Sequence, residues 1–149
     1  MIYRMQEACL NLEGEWLDQT VNILTAQHLA VRGANITITR EPLPKGMELD
    51  AHVSQQKQIL ARELEDFILL SENPCTVDGQ SALVLEFTWK QQDTRLHQMA
   101  LAVSAANDVV NITATMPGPG DESCRNALLS VMMSFTFHPS PGTEEGSEQ

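Results

Sequence analysis

Four histidines and three cysteines are the side chains in this sequence best suited to bind a metal or to attack a substrate. The histidines occupy four separate segments without an H-x-H or H-x-x-x-H pair: His28, His52, His97 and His138. The cysteines are an odd number without C-x-x-C spacing: Cys9, Cys75 and Cys124. Neither set has the ligand spacing of a zinc site or the pairing of a disulfide framework. We therefore expect surface histidines, reduced thiols, no metal, no cofactor and a reducing compartment.

Two short motifs begin like catalytic or phosphate-binding loops, and both are incomplete. The segment from Gly79 to Leu83 reads G-Q-S-A-L and lacks the closing glycine of a nucleophile elbow. Gly118-Pro119-Gly120 lacks the third glycine of a phosphate loop, and the two acids that follow it would repel phosphate. The carboxylates at positions 63, 65 and 66 are typical of a solvated helix face, although an acid–base pair among them stays open. The sequence therefore predicts a protein that is not an enzyme.

Two glutamines in apolar rows point to binding instead. On a helical projection, the apolar neighbours of Gln56 are Leu49, Val53, Leu60, Leu64 and Phe67. On a predicted strand, Gln98 shares its face with Leu96, Ala100 and Ala102. A primary amide in such a row is costly unless it is hydrogen-bonded. Either each amide bonds a group within the fold, or both line an apolar groove and bond an occasional polar group of a ligand.

The elements that would position these residues give an α+β fold. Period-two alternation predicts strands at 20–24, 35–39, 83–89, 96–103 and 109–115, after short strand material at 2–12. The first two of these strands should pair around the Gly33 loop, and the last three should form an antiparallel meander. Asn73-Pro74 and Asp78-Gly79 are predicted turns around a further short strand.

Helical spacing of apolar residues predicts two main helices. The clearest runs from Glu48 to Phe67. Asp121 is the predicted N-cap of the second helix. Its apolar stripe would comprise Cys124, Leu128, Val131 and Phe135. We expect one domain at 1–138, followed at 139–149 by a disordered acidic tail rich in Pro, Gly, Ser and Glu.

The charge balance restricts the partners of this domain. The 149 residues carry 20 Asp and Glu against nine Lys and Arg, a net charge of −11. Binding to nucleic acid or to an anionic membrane surface needs a basic footprint, and none is visible. The sequence shows neither a signal-peptide pattern nor an apolar run of about 18 residues. We expect a soluble cytoplasmic protein that does not insert into membranes.

The segment Trp16-Leu17-Asp18-Gln19-Thr20-Val21-Asn22-Ile23 resembles the Eag chaperones of bacterial type VI secretion. The similarity runs from Tyr3 to about His138 and includes the 35–40 strand and Leu96-His97-Gln98. It implies a PsbP-like cup, in which a curved antiparallel sheet with two main helices assembles as a homodimer. It also implies a chaperone that shields the N-terminal hydrophobic or transmembrane helices of a secreted effector and aids its loading onto the VgrG spike.

The same resemblance implies site residues. Val21 and Ile23 would dock against effector helices, while Gln56 and Gln98 would bond polar groups within them. Leu60 and Leu64, one and two turns beyond Gln56, would extend the lining. Ordinary core packing is the alternative for these side chains. For the function, the alternatives are an acidic immunity or inhibitor protein that binds a partner enzyme, and an enzyme or small-molecule carrier that uses the cup.

Overall fold

The computed structural model describes residues 2–5 and 7–138 of the chain, so the predicted tail at 139–149 lies outside the described residues. Within them, the chain forms eight strands and two helices. In chain order these are β1 (Ile2–Arg4), β2 (Cys9–Asn11), β3 (Asn22–Thr25), β4 (Asn35–Pro42), α1 (Leu49–Glu63), β5 (Ile68–Val77), β6 (Gln80–Gln91), β7 (Thr94–Ala105), β8 (Asp108–Pro117) and α2 (Glu122–Met133).

Six of the strands form one open antiparallel sheet in the order β3-β4-β8-β7-β6-β5, and β1 and β2 form a separate hairpin. The predicted pairing around Gly33 is confirmed, because β3 and β4 are antiparallel neighbours. The predicted meander is confirmed too, since β6, β7 and β8 pair in succession. Its two turns place Gln92 and Ala106 at positive φ, the left-handed conformation that a tight turn needs.

Each face of the sheet carries its own apolar cluster. On the first face, which we call the α2 face, strand residues such as Met99 and Met116 pack with α2 through Cys124, Leu128 and Met132. The opposite face, which we call the α1 face, holds a smaller cluster that packs against α1. Its buried members are Val53, Leu83, Leu85, Phe87, Ala102 and Val109. The predicted α+β class is therefore confirmed, with one helix on each face.

Two predicted boundaries are wrong. The first helix ends at Glu63 because Asp66 takes a positive φ and is bonded by Arg95, which turns the chain back toward the sheet. Asn73-Pro74 lies inside β5, where an edge strand tolerates a proline. In α2 the predicted cap is confirmed, because Asp121 accepts a hydrogen bond from the Cys124 backbone N–H at 2.9 Å.

The buried stripe of α2 also differs from the predicted one. Met132 is buried, whereas Val131 is 55% exposed, because the helix presents every fourth residue after Cys124 to the sheet. Phe135 lies beyond the last helical residue, Met133, where it packs edge-to-face on Phe137.

Candidate functional site

A cleft of about 290 Å³ opens on the α1 face of the sheet, where α1 stops covering the strands. The helix packs mainly over β6 and β7 and leaves the adjoining surface of β8 and β4 open. The helix wall of the cleft consists of His52, Val53, Gln56 and Leu60. The floor includes Leu85, Ala100 and Ala102, and the far wall includes Thr39, Asn111 and Thr113.

The open half of this face is made of hydroxyl and amide side chains. The cross-strand pairs there are Asn35–Thr115, Thr37–Thr113 and Thr39–Asn111. Paired residues in an antiparallel sheet share a face, so these six side chains form one continuous surface beside the cleft. All six are half-buried, and four of them are threonines that expose a methyl group as well as a hydroxyl. An apolar partner therefore meets both apolar contact and hydrogen-bonding groups.

Gln98 is largely engaged within the fold. Its side-chain oxygen accepts a hydrogen bond from Trp89 Nε1 at 2.5 Å, and its Nε2 donates to Thr115 Oγ1 at 2.8 Å. The first of the two predicted interpretations therefore applies to Gln98, with side chains rather than backbone as its partners. A primary amide has two N–H groups and two oxygen lone pairs, so one of each is left for a ligand.

Gln56 differs from Gln98 because its amide has no hydrogen bond to any residue that the structure describes. It is half-buried in the helix wall of the cleft, one turn after His52 and one turn before Leu60. A half-buried amide without a partner in the fold can exchange its bonds to water for a bond to a ligand without breaking a bond within the protein.

One end of the cleft is polar, and sequence reasoning missed it. Glu41 Oε2 accepts a hydrogen bond from Asn111 Nδ2 at 2.7 Å and lies 3.3 Å from Nε2 of the buried His52. Part of the signal was available, since the alternation of β4 puts Glu41 on the same face as Thr37 and Thr39. No local sequence pattern predicts the contact between Glu41 and His52, because it joins a strand to the helix that follows it.

The other predicted site residues lie outside the cleft. Ile23 is 68% exposed and pairs with Thr37, which places it on the α1 face but about 10 Å, or two strand spacings, from Thr113 in the cleft wall. Val21 is half-exposed just before β3. Leu64 caps α1 and packs against the apolar cluster of the α1 face. The structure thus brings Gln56, Leu60 and Gln98 together and leaves Val21 and Ile23 near the sheet edge.

Several apolar side chains between Leu10 and Leu24 are unusually exposed. Trp16 is 62% exposed and Leu17 is 79% exposed. Val21, just before the edge strand β3, and Ile23 within it are also exposed, at 49% and 68%. Large apolar side chains that are this exposed and this close together in the chain are typical of an interaction surface.

The main buried charges lie on the α2 face, away from the cleft. Arg125 of α2 donates from Nε and Nη2 to the two carboxylate oxygens of Glu86 at 2.8 and 2.7 Å, and His97 Nε2 lies 2.6 Å from Glu86 Oε2. The hydrogen bonds from Arg125 hold the pKa of Glu86 below its ordinary value, although burial acts in the opposite direction. This cluster ties α2 to the sheet, and every one of its charges has a partner.

Within residues 2–5 and 7–138, no three His, Cys, Asp or Glu side chains are grouped so that they could hold a metal ion. The same part of the chain contains no helix of the length and apolarity that a membrane crossing requires.

The open sheet with a helix on each face defines an α+β protein of PsbP-like fold. The solution structure of cyanobacterial PsbP (CyanoP) from Synechocystis sp. PCC 6803 matches it with a TM-score of 0.54 at 15% identity, over 79% of this chain and 82% of the other. The crystal structure of PA94, a Pseudomonas aeruginosa protein of unknown function, matches with a TM-score of 0.79 at 22% identity, over 94% of this chain and 98% of that one. The predicted fold group is confirmed.

The family model of DcrB matches residues 7–134, and the chain belongs to the DcrB family. The chain is also 27% identical over 118 residues to a Pseudomonas aeruginosa protein named Effector EagT6. This match covers 76% of this chain and 81% of the relative. The Eag resemblance predicted from residues 16–23 is thereby confirmed. None of these three relatives is named as an enzyme.

Proposed function

We propose that this protein is a chaperone of type VI secretion that binds the apolar N-terminal helices of a secreted effector and shields them from water in the cytoplasm. The similarity to an Eag protein supports the secretion role. The observation that carries the binding mode is the cleft, where an apolar floor lies beside the amide of Gln56, which has no hydrogen-bond partner among the described residues.

The composition of the cleft suits a membrane-type helix. Such helices expose apolar side chains whose removal from water is worth about 25 cal/mol per Å². They also carry small and polar residues where they pack against other helices. Leu60 and the apolar floor would cover the first kind of side chain. Gln56, the remaining N–H of Gln98 and the threonine hydroxyls would bond the second.

We propose that two copies of the chain form the complete binding surface. The exposed apolar side chains of Trp16, Leu17, Val21 and Ile23 would be covered by the second copy or by the bound helices. A symmetric dimer doubles the apolar surface that can face the effector, and Val21 and Ile23 would then contact it from the sheet edge. Loading onto the VgrG spike would follow from holding the effector in a soluble form.

Co-expression tests this function directly. A soluble carrier protein bearing the apolar N-terminal segment of a type VI effector should co-purify with the chain, and the carrier without that segment should not. Ile23→Asp should abolish co-purification because it puts a charge against an apolar helix. Leu24→Asp is the matched control, since Leu24 is similarly exposed on the same strand but lies on the opposite face.

The acidic inhibitor alternative makes the opposite prediction. An inhibitor that acts through the net charge of −11 would bind its partner without any apolar segment and would lose binding steeply with added salt. Complex formation that survives deletion of the apolar segment would therefore overturn the chaperone proposal.

A further inference from the structure

The polar end of the cleft contains a carboxylate oxygen that the fold does not use. Glu41 Oε2 is bonded by Asn111 and contacts His52, but Glu41 Oε1 has neither a hydrogen bond nor an ion pair with any described residue. The Glu41 side chain is 36% exposed and lines the cleft. Asn111 and His52 both contact Oε2 and restrain the carboxylate, which leaves Oε1 as the oxygen available to a ligand.

No Lys or Arg among the described residues pairs with Glu41. The adjacent Arg40 is on the opposite face of β4, where it donates to Asn22 Oδ1 at 2.5 Å. Lys57 of α1 pairs with Glu72 of β5 at 2.5 Å. A fixed carboxylate beside an apolar floor, in a chain of net charge −11, favours a cationic group from a ligand.

The distance along the cleft matches a helix that is apolar in its middle and charged at one end. Asn35, level with Gln98 at the far end of the cleft, lies six residues from Glu41 on β4, or about 20 Å of strand. A helix of about 13 residues spans that length. Between these two ends, Ala100 and Ala102 of β7 lie beside the cross-strand pairs Thr37–Thr113 and Thr39–Asn111 and form the floor. Lys and Arg commonly flank apolar membrane segments, particularly on the cytoplasmic side.

We infer that Glu41 binds the Lys or Arg that flanks one end of the apolar effector segment, and so fixes the direction in which that segment lies in the cleft. This inference rests on the proposed function and assigns it a specificity residue. His52 and Asn111 act as positioning residues, since each contacts Glu41 Oε2 and leaves Oε1 for the ligand.

The test combines a change in the protein with a change in the ligand. The probe is a soluble carrier protein with an N-terminal segment of 18 Leu and Ala residues, flanked on its carrier side by either two Lys or two Gln. Binding constants are measured at low salt for the natural chain, for Glu41→Gln and for Glu122→Gln. Glu41→Gln keeps an oxygen that can accept from Asn111, whereas Glu122→Gln removes an equal charge from α2 on the other face.

The natural chain and Glu122→Gln should bind the Lys-flanked segment about fivefold more tightly than the Gln-flanked one, and Glu41→Gln should lose that preference. Unchanged affinity of Glu41→Gln for the Gln-flanked segment would show that the cleft is intact. An equal Lys preference in Glu41→Gln and the natural chain would overturn the inference and leave the proposed function standing. Failure of the natural chain to bind either segment would overturn both.

Discussion

On the α2 face of the sheet, apolar residues of α2 lie buried against the strands and the charged groups beneath the helix are paired with one another. On the α1 face, the helix covers two of the middle strands, and Gln56 and one oxygen of Glu41 have no partner among the described residues. The two faces therefore combine apolar and polar side chains in different ways. The α2 face commits its polar groups to the fold, while the α1 face leaves some of them unbonded among the described residues.

The largest expected effect on stability comes from removing a buried side chain from the α2 face. Met99→Ala removes a fully buried side chain from the α2 face and should lower the free energy of unfolding by about 2–5 kcal/mol. Leu60→Ala, in the cleft wall, should cost about 1 kcal/mol because Leu60 is only half-buried. Urea unfolding of both variants measures the difference. Equal losses would mean that the two faces contribute alike to stability.

The next effect concerns the paired charges of the α2 face. Glu86→Gln should cost about 1–3 kcal/mol at pH 7, since it weakens the bonds to Arg125 and His97. Because the pKa of Glu86 is lowered in the folded chain, its stabilisation is present above the ordinary carboxyl pKa and is lost as the pH falls through the lowered value. Unfolding measured from pH 7 to pH 3 should therefore show a steeper acid loss in the natural chain than in Glu86→Gln.

Substitution of Gln56 on the α1 face should have a smaller effect, and this effect should appear in binding rather than in stability. Gln56→Ala should weaken binding of the apolar segment by about fivefold, the value of one hydrogen bond, with thermal unfolding still cooperative. Gln55→Ala is the matched control, because Gln55 is the neighbouring glutamine on the exposed side of α1. If Gln56→Ala unfolds the chain, the amide supports the fold instead of the ligand.

The smallest effect refines the description of α2. Val131→Ser should change the free energy of unfolding by no more than about 0.5 kcal/mol, because this side chain is 55% exposed. Met132→Ser, at the next position, should be strongly destabilising because Met132 is buried. Chemical unfolding of the pair checks this assignment, and a large loss for Val131→Ser would show that α2 packs through its predicted stripe.

Local periodicity was sufficient to predict the sheet meander, the β3–β4 pairing and both helices. Local periodicity failed to predict element boundaries where the same residue pattern is compatible with two conformations. Leu64 and Phe67 continue the helical stripe of α1, yet both follow its last residue, Glu63, and pack partly buried against the apolar cluster of the α1 face. The sequence predicted a turn at Pro74, because a proline is tolerated within a strand mainly at a sheet edge and the sequence does not show that β5 is an edge strand.

The site was predictable in its residue types but not in its pairings. Gln56 and Gln98 were visible as amides in apolar rows, and their difference depends on contacts made by the folded sheet, such as that of Gln98 with Thr115, 17 residues away. Glu41 and Asn111 are 70 residues apart, and strand order alone brings them together. Contacts of this range are set by topology, which no local spacing reports.

Photo-crosslinking of the chain to an apolar effector segment tests the central claim most directly. A photoreactive amino acid at position 60 lies in the cleft, and one at position 131 lies on the exposed side of α2. With the segment co-expressed on a soluble carrier, position 60 should crosslink to the segment and position 131 should not. Crosslinking from position 131, or none from position 60 in a complex that co-purifies, would contradict the assignment of the α1 face as the binding surface.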